Sequence, residues 1–131
     1  MNEFQLVPPE VDELAATIVD AAFKVHSALG PGLLESVYEA CLMHELAQRG
    51  IPFRSQVPIA IVYRGLRLNA GLRLDLLVEE SIVVEIKAIE EVLPVHHAQL
   101  LTYLKLSGKR LGFLINFNVT KIKDGIKRVI L

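Results

Sequence analysis

Two periods of apolar residues divide the chain. From Pro8-Pro9 onward, Val11, Leu14, Ala15, Ile18, Ala22, Val25 and Leu29 recur every three or four positions, which predicts a helix. Gly30-Pro31-Gly32 stops it, because glycine suits the residue after a helix and proline does not continue one. A second stripe, Leu34, Val37, Tyr38, Cys41, Leu42 and Leu46, predicts another helix that ends at Gly50-Ile51-Pro52. The pattern then turns β-branched and apolar. "QVPIAIVYRG" and "LRLNAGLRLDLLVEE" predict strands around a turn at Gly65, and "SIVVEIKAI" a third strand entered through Glu79-Glu80-Ser81. "PVHHAQLLTYLKLSG" returns to helical spacing through Ala98, Leu101 and Leu104, and through Leu100 and Leu104. "RLGFLINF" reads as a buried strand and "IKRVIL" as a short last one. The order ααβββαβ(β) predicts an α/β (α+β) fold, one mixed sheet flanked by helices.

Composition narrows the class. A chain of 131 residues fits a single domain over 1–131, and 52% hydrophobic residues supply its core. No apolar run approaches the roughly 20 residues that span a bilayer. The opening "MNEFQLVPPEVDE" has neither the basic end nor the apolar stretch of a signal peptide, so a soluble cytoplasmic protein is expected. The single cysteine, Cys41, excludes an internal disulfide and a cysteine-based zinc site. Net charge is −1, but it is unevenly spread. Residues 1–48 hold eight acids (Glu3, Glu10, Asp12, Glu13, Asp20, Glu35, Glu39 and Glu45) against Lys24, while 105–131 hold seven bases against Asp124. Such asymmetry points either to a polyanion surface or to two ends that neutralise each other across the fold.

The chemistry concentrates in "VVEIK", residues 83–87, where Glu85 and Lys87 interrupt an apolar strand. Alternation puts both on one face with Val83. In "LRLDLLVEE" the same rule sends Leu74, Leu76 and Val78 one way, and Arg73, Asp75 and Leu77 the other. A hairpin between these strands would stand Asp75 beside Glu85 and Lys87. Two carboxylates and an ammonium buried without a use would cost several kcal/mol, whereas Mg²⁺ favours one or two carboxylates with waters and phosphate oxygens. Taken alone, an Asp followed ten residues later by Glu-x-Lys is a short pattern that more often marks a solvated hairpin face.

Further residues extend the pattern. Gly32-x-x-Glu35-x-x-Tyr38 in "GLLESVY" resembles the motif of the GxxExxY family, small bacterial and archaeal proteins similar to the PD-(D/E)XK nuclease superfamily. Gln99-x-x-x-Tyr103 in "AQLLTYLK" resembles the Q-x-x-x-Y element of that superfamily's exonuclease branch. "YRG", "LGFLINF" and "KDGIKRVIL" carry the resemblance over nearly the whole chain. It implies a restriction-endonuclease-like core in which Asp75 and Glu85, with the Ile86 carbonyl, hold a divalent metal, and Glu35 joins directly or through water. It implies that Lys87 polarises the attacking water, and that Gln99 and Tyr103, four apart on one helix face, orient substrate phosphate or Lys87. His96 stands where the family has its histidine and is a substrate-contact candidate. The motif's Pro is Leu74 here, a departure the superfamily tolerates. Taken singly, Glu35 fits an exposed helix residue, Tyr38 and Tyr103 fit packing, and Gln99 fits a cap. His26 and His44 read as structural, as does Asn116-Phe117.

Two functions are therefore carried forward. One is a Mg²⁺- or Mn²⁺-dependent nuclease with catalytic residues Glu35, Asp75, Glu85 and Lys87, acting on nucleic acid, DNA ahead of RNA. It requires those four side chains to converge within a few ångströms. The other is a non-catalytic nucleic-acid-binding or protein-interaction module on the same fold. So small a chain has little surface beyond its core, which suggests a homodimer or a partner protein.

Overall fold

The first long element, α1 (Pro9–Leu29), starts with a proline whose fixed φ suits the first helical turn, followed by Glu10 and Asp12 beside the positive helix end. Leu14, Ala15, Ile18, Ala21, Ala22 and Val25 form its buried stripe, and the small alanines let neighbours approach closely. The chain is described over residues 7–131 in a computed structural model. Glu3, one of the acids counted above, lies outside them. After Gly30 come α2 (Glu35–Gln48), β1 (Phe53–Tyr63), β2 (Leu66–Val78), β3 (Ile82–Lys87), α3 (Pro94–Ser107), β4 (Leu111–Asn116), a 3₁₀ turn at Ile122–Gly125, and β5 (Ile126–Ile130). The order is the expected one, with the 3₁₀ turn as an addition.

In α2 the buried residues are Tyr38, Leu42 and Leu46, while Leu34 and Val37 are exposed. Leu34 is the residue before the helix and so lies off its face. A 14-residue helix with a strict i, i+4, i+8 stripe buries three positions, and Val37 falls on the flank.

The five strands form one mixed sheet in the order β1-β2-β3-β4-β5. All neighbours are antiparallel except β3 and β4, whose parallel pairing is joined by α3. On one face α1 and α2 cover Leu76, Val78, Val84, Ile86, Phe113 and Ile115; on the other α3 covers Leu74, Leu77, Val83, Leu114 and Val129. Gly112 allows that second contact: a Cβ there would sit 3.1 Å from Leu100. Each fully buried Leu, Ile, Val or Phe contributes about 1.5–3 kcal/mol, so both layers stabilise the sheet. The first helix is tied to the last strand by an ion pair, Arg128 to Asp12 at 2.6 Å. That is one place where the acidic start and the basic end of the chain meet.

One expectation about faces is corrected. Leu74 packs with Leu77 on the α3 side, not with Leu76 and Val78. On β1, Phe53 and Val57 likewise lie on opposite sides although four residues apart. The pairs Ser55–Leu76 and Val57–Leu74 flank Gln56 and Asp75, and Gln56 has φ of 51°. Both strands therefore roll over at Gln56 and Asp75. Strict alternation fails there because one residue has left extended geometry.

Candidate metal and nucleic-acid site

Strand β2 pairs with β3 only through Leu76–Val84, Leu77–Val83 and Val78–Ile82. One position further on, the backbone ladder gives way to side chains. The Asp75 N–H donates to Glu85 Oε1 at 3.1 Å, and the Ile86 N–H donates to Asp75 Oδ2 at 2.8 Å. Two carboxyl groups thus fill the wedge where the strands part. In an extended strand a residue's N–H and C=O face the same neighbour, so the Ile86 carbonyl turns toward this wedge too.

Glu85 is only 6% exposed. Burial, and then the charge of Asp75, push its carboxyl up to about 8, against the opposing pull of the Asp75 N–H and of Lys87. Lys87, half-buried at the end of β3, pairs in register with Asn116. Glu35, at the start of α2, is raised by burial and by Asp75 and lowered by Lys87, which places it in the same electrostatic neighbourhood. Tyr103, on α3, is raised by burial and by the charges of Glu85 and Asp75. Asp75, Glu85, Glu35, Lys87 and Tyr103 therefore share one field.

Asp75 and Glu85 are in contact, but among the described residues no three His, Cys, Asp or Glu side chains stand together as a ready metal cage. The donor set nonetheless suits a hard divalent cation. Asp75 and Glu85 put carboxyl oxygens side by side, each held through a backbone N–H, in a wedge where burial and the Asp75 charge raise the Glu85 carboxyl.

The remaining candidates spread along α3. His96 Nδ1 accepts the Leu93 N–H at 2.8 Å and so caps the helix, leaving Nε2 as its outward group. Gln99 is exposed, and His97 faces solvent beside it.

Tyr38 does more than pack. Its ring stacks on Phe117 with centroids 4.6 Å apart, and its hydroxyl donates to the Gly30 carbonyl at 2.6 Å and accepts the Leu33 N–H at 3.1 Å. The loop that leads into Glu35 is thereby pinned to the end of β4. On the same side, Asn116 accepts the Ile89 N–H and donates to the Ile89 carbonyl, fixing the segment after Lys87. His26, as expected, is structural: its Nε2 lies 2.8 Å from the Val119 carbonyl.

Two neighbours escaped the sequence reading. Glu39, one turn after Glu35, is raised by burial and by Asp75, and it accepts a hydrogen bond from Gln56 Nε2 at 2.8 Å. Its spacing from Glu35 was a usable signal. Gln56 carried none, because its role follows from a positive φ opposite Asp75.

The model of the PD-(D/E)XK nuclease superfamily matches residues 12–129. The chain belongs to this superfamily. No curated protein and no solved structure matches it significantly. PD-(D/E)XK membership brings nuclease activity as the class, nucleic acid as the substrate class and divalent metal ions as the general cofactor. No described helix is long and apolar enough to cross a membrane.

Proposed function

We propose that this PD-(D/E)XK protein is a metal-dependent nuclease that hydrolyses phosphodiester bonds, a member of the GxxExxY group acting as one domain over 1–131. The observation that carries the reading is the Asp75–Glu85 pair replacing the ladder between β2 and β3, with Lys87 two residues on. The pair satisfies two backbone N–H groups, but burying two carboxyls side by side costs desolvation that an apolar pair would not.

In this reading Asp75 and Glu85 hold Mg²⁺ or Mn²⁺, with the Ile86 carbonyl and Glu35 completing the set. When bound, the ion supplies Lewis-acid polarisation of phosphate and a more acidic water. Lys87 orients the attacking water and stabilises negative charge that grows on the phosphoryl oxygens. Tyr103 and Gln99 orient the phosphate, and His96 offers Nε2 to the same strand. DNA is the favoured substrate, ahead of RNA.

The test is thermal melting with Mg²⁺ or Mn²⁺ at millimolar concentration. The wild-type chain gains stability, by about 2.7 kcal/mol at one hundred times Kd, and Asp75→Ala loses the gain. A wild-type chain indifferent to both ions overturns the metal assignment.

A further inference from the structure

β2 has 13 residues, of which only three pair with β3. Its last residues, Leu76–Val78, join the sheet, while Leu66–Asp75 pair with β1 alone. Val57, Ile59, Leu72 and Leu74 root this two-stranded ribbon against α3. Beyond them it is free: Val62, Tyr63, Leu66 and Leu68 are 59, 63, 56 and 43% exposed. The tip closes through Arg64 and Gly65, with φ of 48° and 83°, the geometry of a tight I′ hairpin turn.

Its charge is one-sided. Residues 46–74 hold five arginines and no acid. Arg49 and Arg54 pair with Asp20, Glu45 and Glu80. Arg64, Arg67 and Arg73 are exposed and form no ion pair among the described residues. Arg64 instead lies over the Tyr63 ring, 5.9 Å from its centre. Elsewhere the site surroundings are acidic: Asp75 and Glu85 are in contact, and the charge of Asp75 reaches Glu35 and Glu39.

We infer that the β1–β2 ribbon is an arm that grips a nucleic-acid duplex, with Arg64, Arg67 and Arg73 on its phosphates and Tyr63 at the contact. This rests on the nuclease reading and names the surface that holds the substrate. A two-stranded ribbon fits the width of a DNA major groove. The arm is continuous with the strand that carries Asp75, so its tip lies about 33 Å of extended chain from the wedge and Arg73 two residues from it. A second copy of this chain is the lesser fit. The free edge of β1 carries Pro58, which lacks an N–H, and the ribbon's Arg64, Arg67 and Arg73 repel their own copies.

The experiment measures binding of a DNA duplex by fluorescence anisotropy in Ca²⁺ across 50–200 mM salt, for the wild-type chain and for Arg64→Gln/Arg67→Gln/Arg73→Gln. Loss of three phosphate contacts lowers the slope of log K against log salt by about 2.7, so salt weakens the variant by ~40-fold less over that range. The corresponding triple Lys variant keeps the wild-type slope. An unchanged slope in the Gln variant overturns the arm while leaving the nuclease reading in place. A wild-type chain that binds no nucleic acid at any salt overturns the nuclease reading itself. If Tyr63→Ser/Leu66→Ser turns a dimer into a monomer with unchanged DNA affinity, the ribbon is a dimer contact and the arm is overturned. As all these side chains are exposed, equal melting temperatures verify the fold, and the single Arg67→Gln variant gives a slope change near 0.9 where the triple variant melts early.

Discussion

The two ends of the β2–β3 pairing differ in what holds them. At the closed end, Leu76–Val84, Leu77–Val83 and Val78–Ile82 combine a regular backbone ladder with side chains buried on both faces. At the open end, one residue away, Asp75 and Glu85 take over the hydrogen bonds with their carboxyls. The first end rests on removal of apolar surface from water. The second keeps charges in poor solvent and invites a cation. Stability and function are thus adjacent on the same two strands, and substitutions can separate them.

The largest effect falls on activity at the open end. Lys87→Ala lowers cleavage of DNA by about 10²–10³-fold with little change in melting temperature, the scale for loss of one group that stabilises transition-state charge. Undiminished cleavage by the purified variant removes Lys87 from the chemistry. Next, at the closed end, Leu76→Ala destabilises by about 2–5 kcal/mol in urea, through the cavity it leaves. Metal and substrate do not rescue that loss.

Glu85→Gln sharpens the contrast with a sign that depends on pH. The folded carboxyl titrates near 8, above its ordinary 4.5, so its contribution is fully present below pH 4.5 and lost as pH rises through about 8. Metal-free wild-type protein therefore loses stability, on the order of a few kcal/mol, across that window. The Gln variant, which keeps the acceptor for the Asp75 N–H, shows a flatter profile and is the more stable of the two at pH 8–9. Parallel profiles in denaturant titrations would remove the buried-carboxylate argument.

Tyr38→Phe has the smallest effect, about 1–2 kcal/mol. It removes the hydroxyl bonds to Gly30 and Leu33 yet keeps the stack on Phe117. Its signature is faster hydrogen exchange at Leu33 next to an unchanged core; equal exchange shows that the ring alone positions the loop.

Much of this could be read from residue order. The 3.6-residue stripes placed α1 and α3 close to their ends, the β-branched runs placed the strands, and the ten-residue interval from Asp75 to Glu85 matched the register in which they meet. Local chemistry suffices there, because backbone periodicity and apolar burial are set by neighbours in the chain. The face change at Leu74 was not readable, because it follows from a positive φ at Gln56 on another strand. Nor was the exposure of Leu34 and Val37, which depends on where α2 meets its neighbours. Glu39 enters the site field only once Gln56 and Asp75 are beside it.

By itself, then, the sequence determined the elements, their order and the two carboxylates that face each other across β2 and β3. Tertiary structure decided that the ladder stops at Leu76, that Tyr38 pins the approach to Glu35, and that the β1–β2 ribbon runs free past the sheet. The physical reason is range. Propensity and periodicity act within a few residues, whereas desolvation, charge coupling and exposure depend on groups the fold brings together from distant parts of the chain.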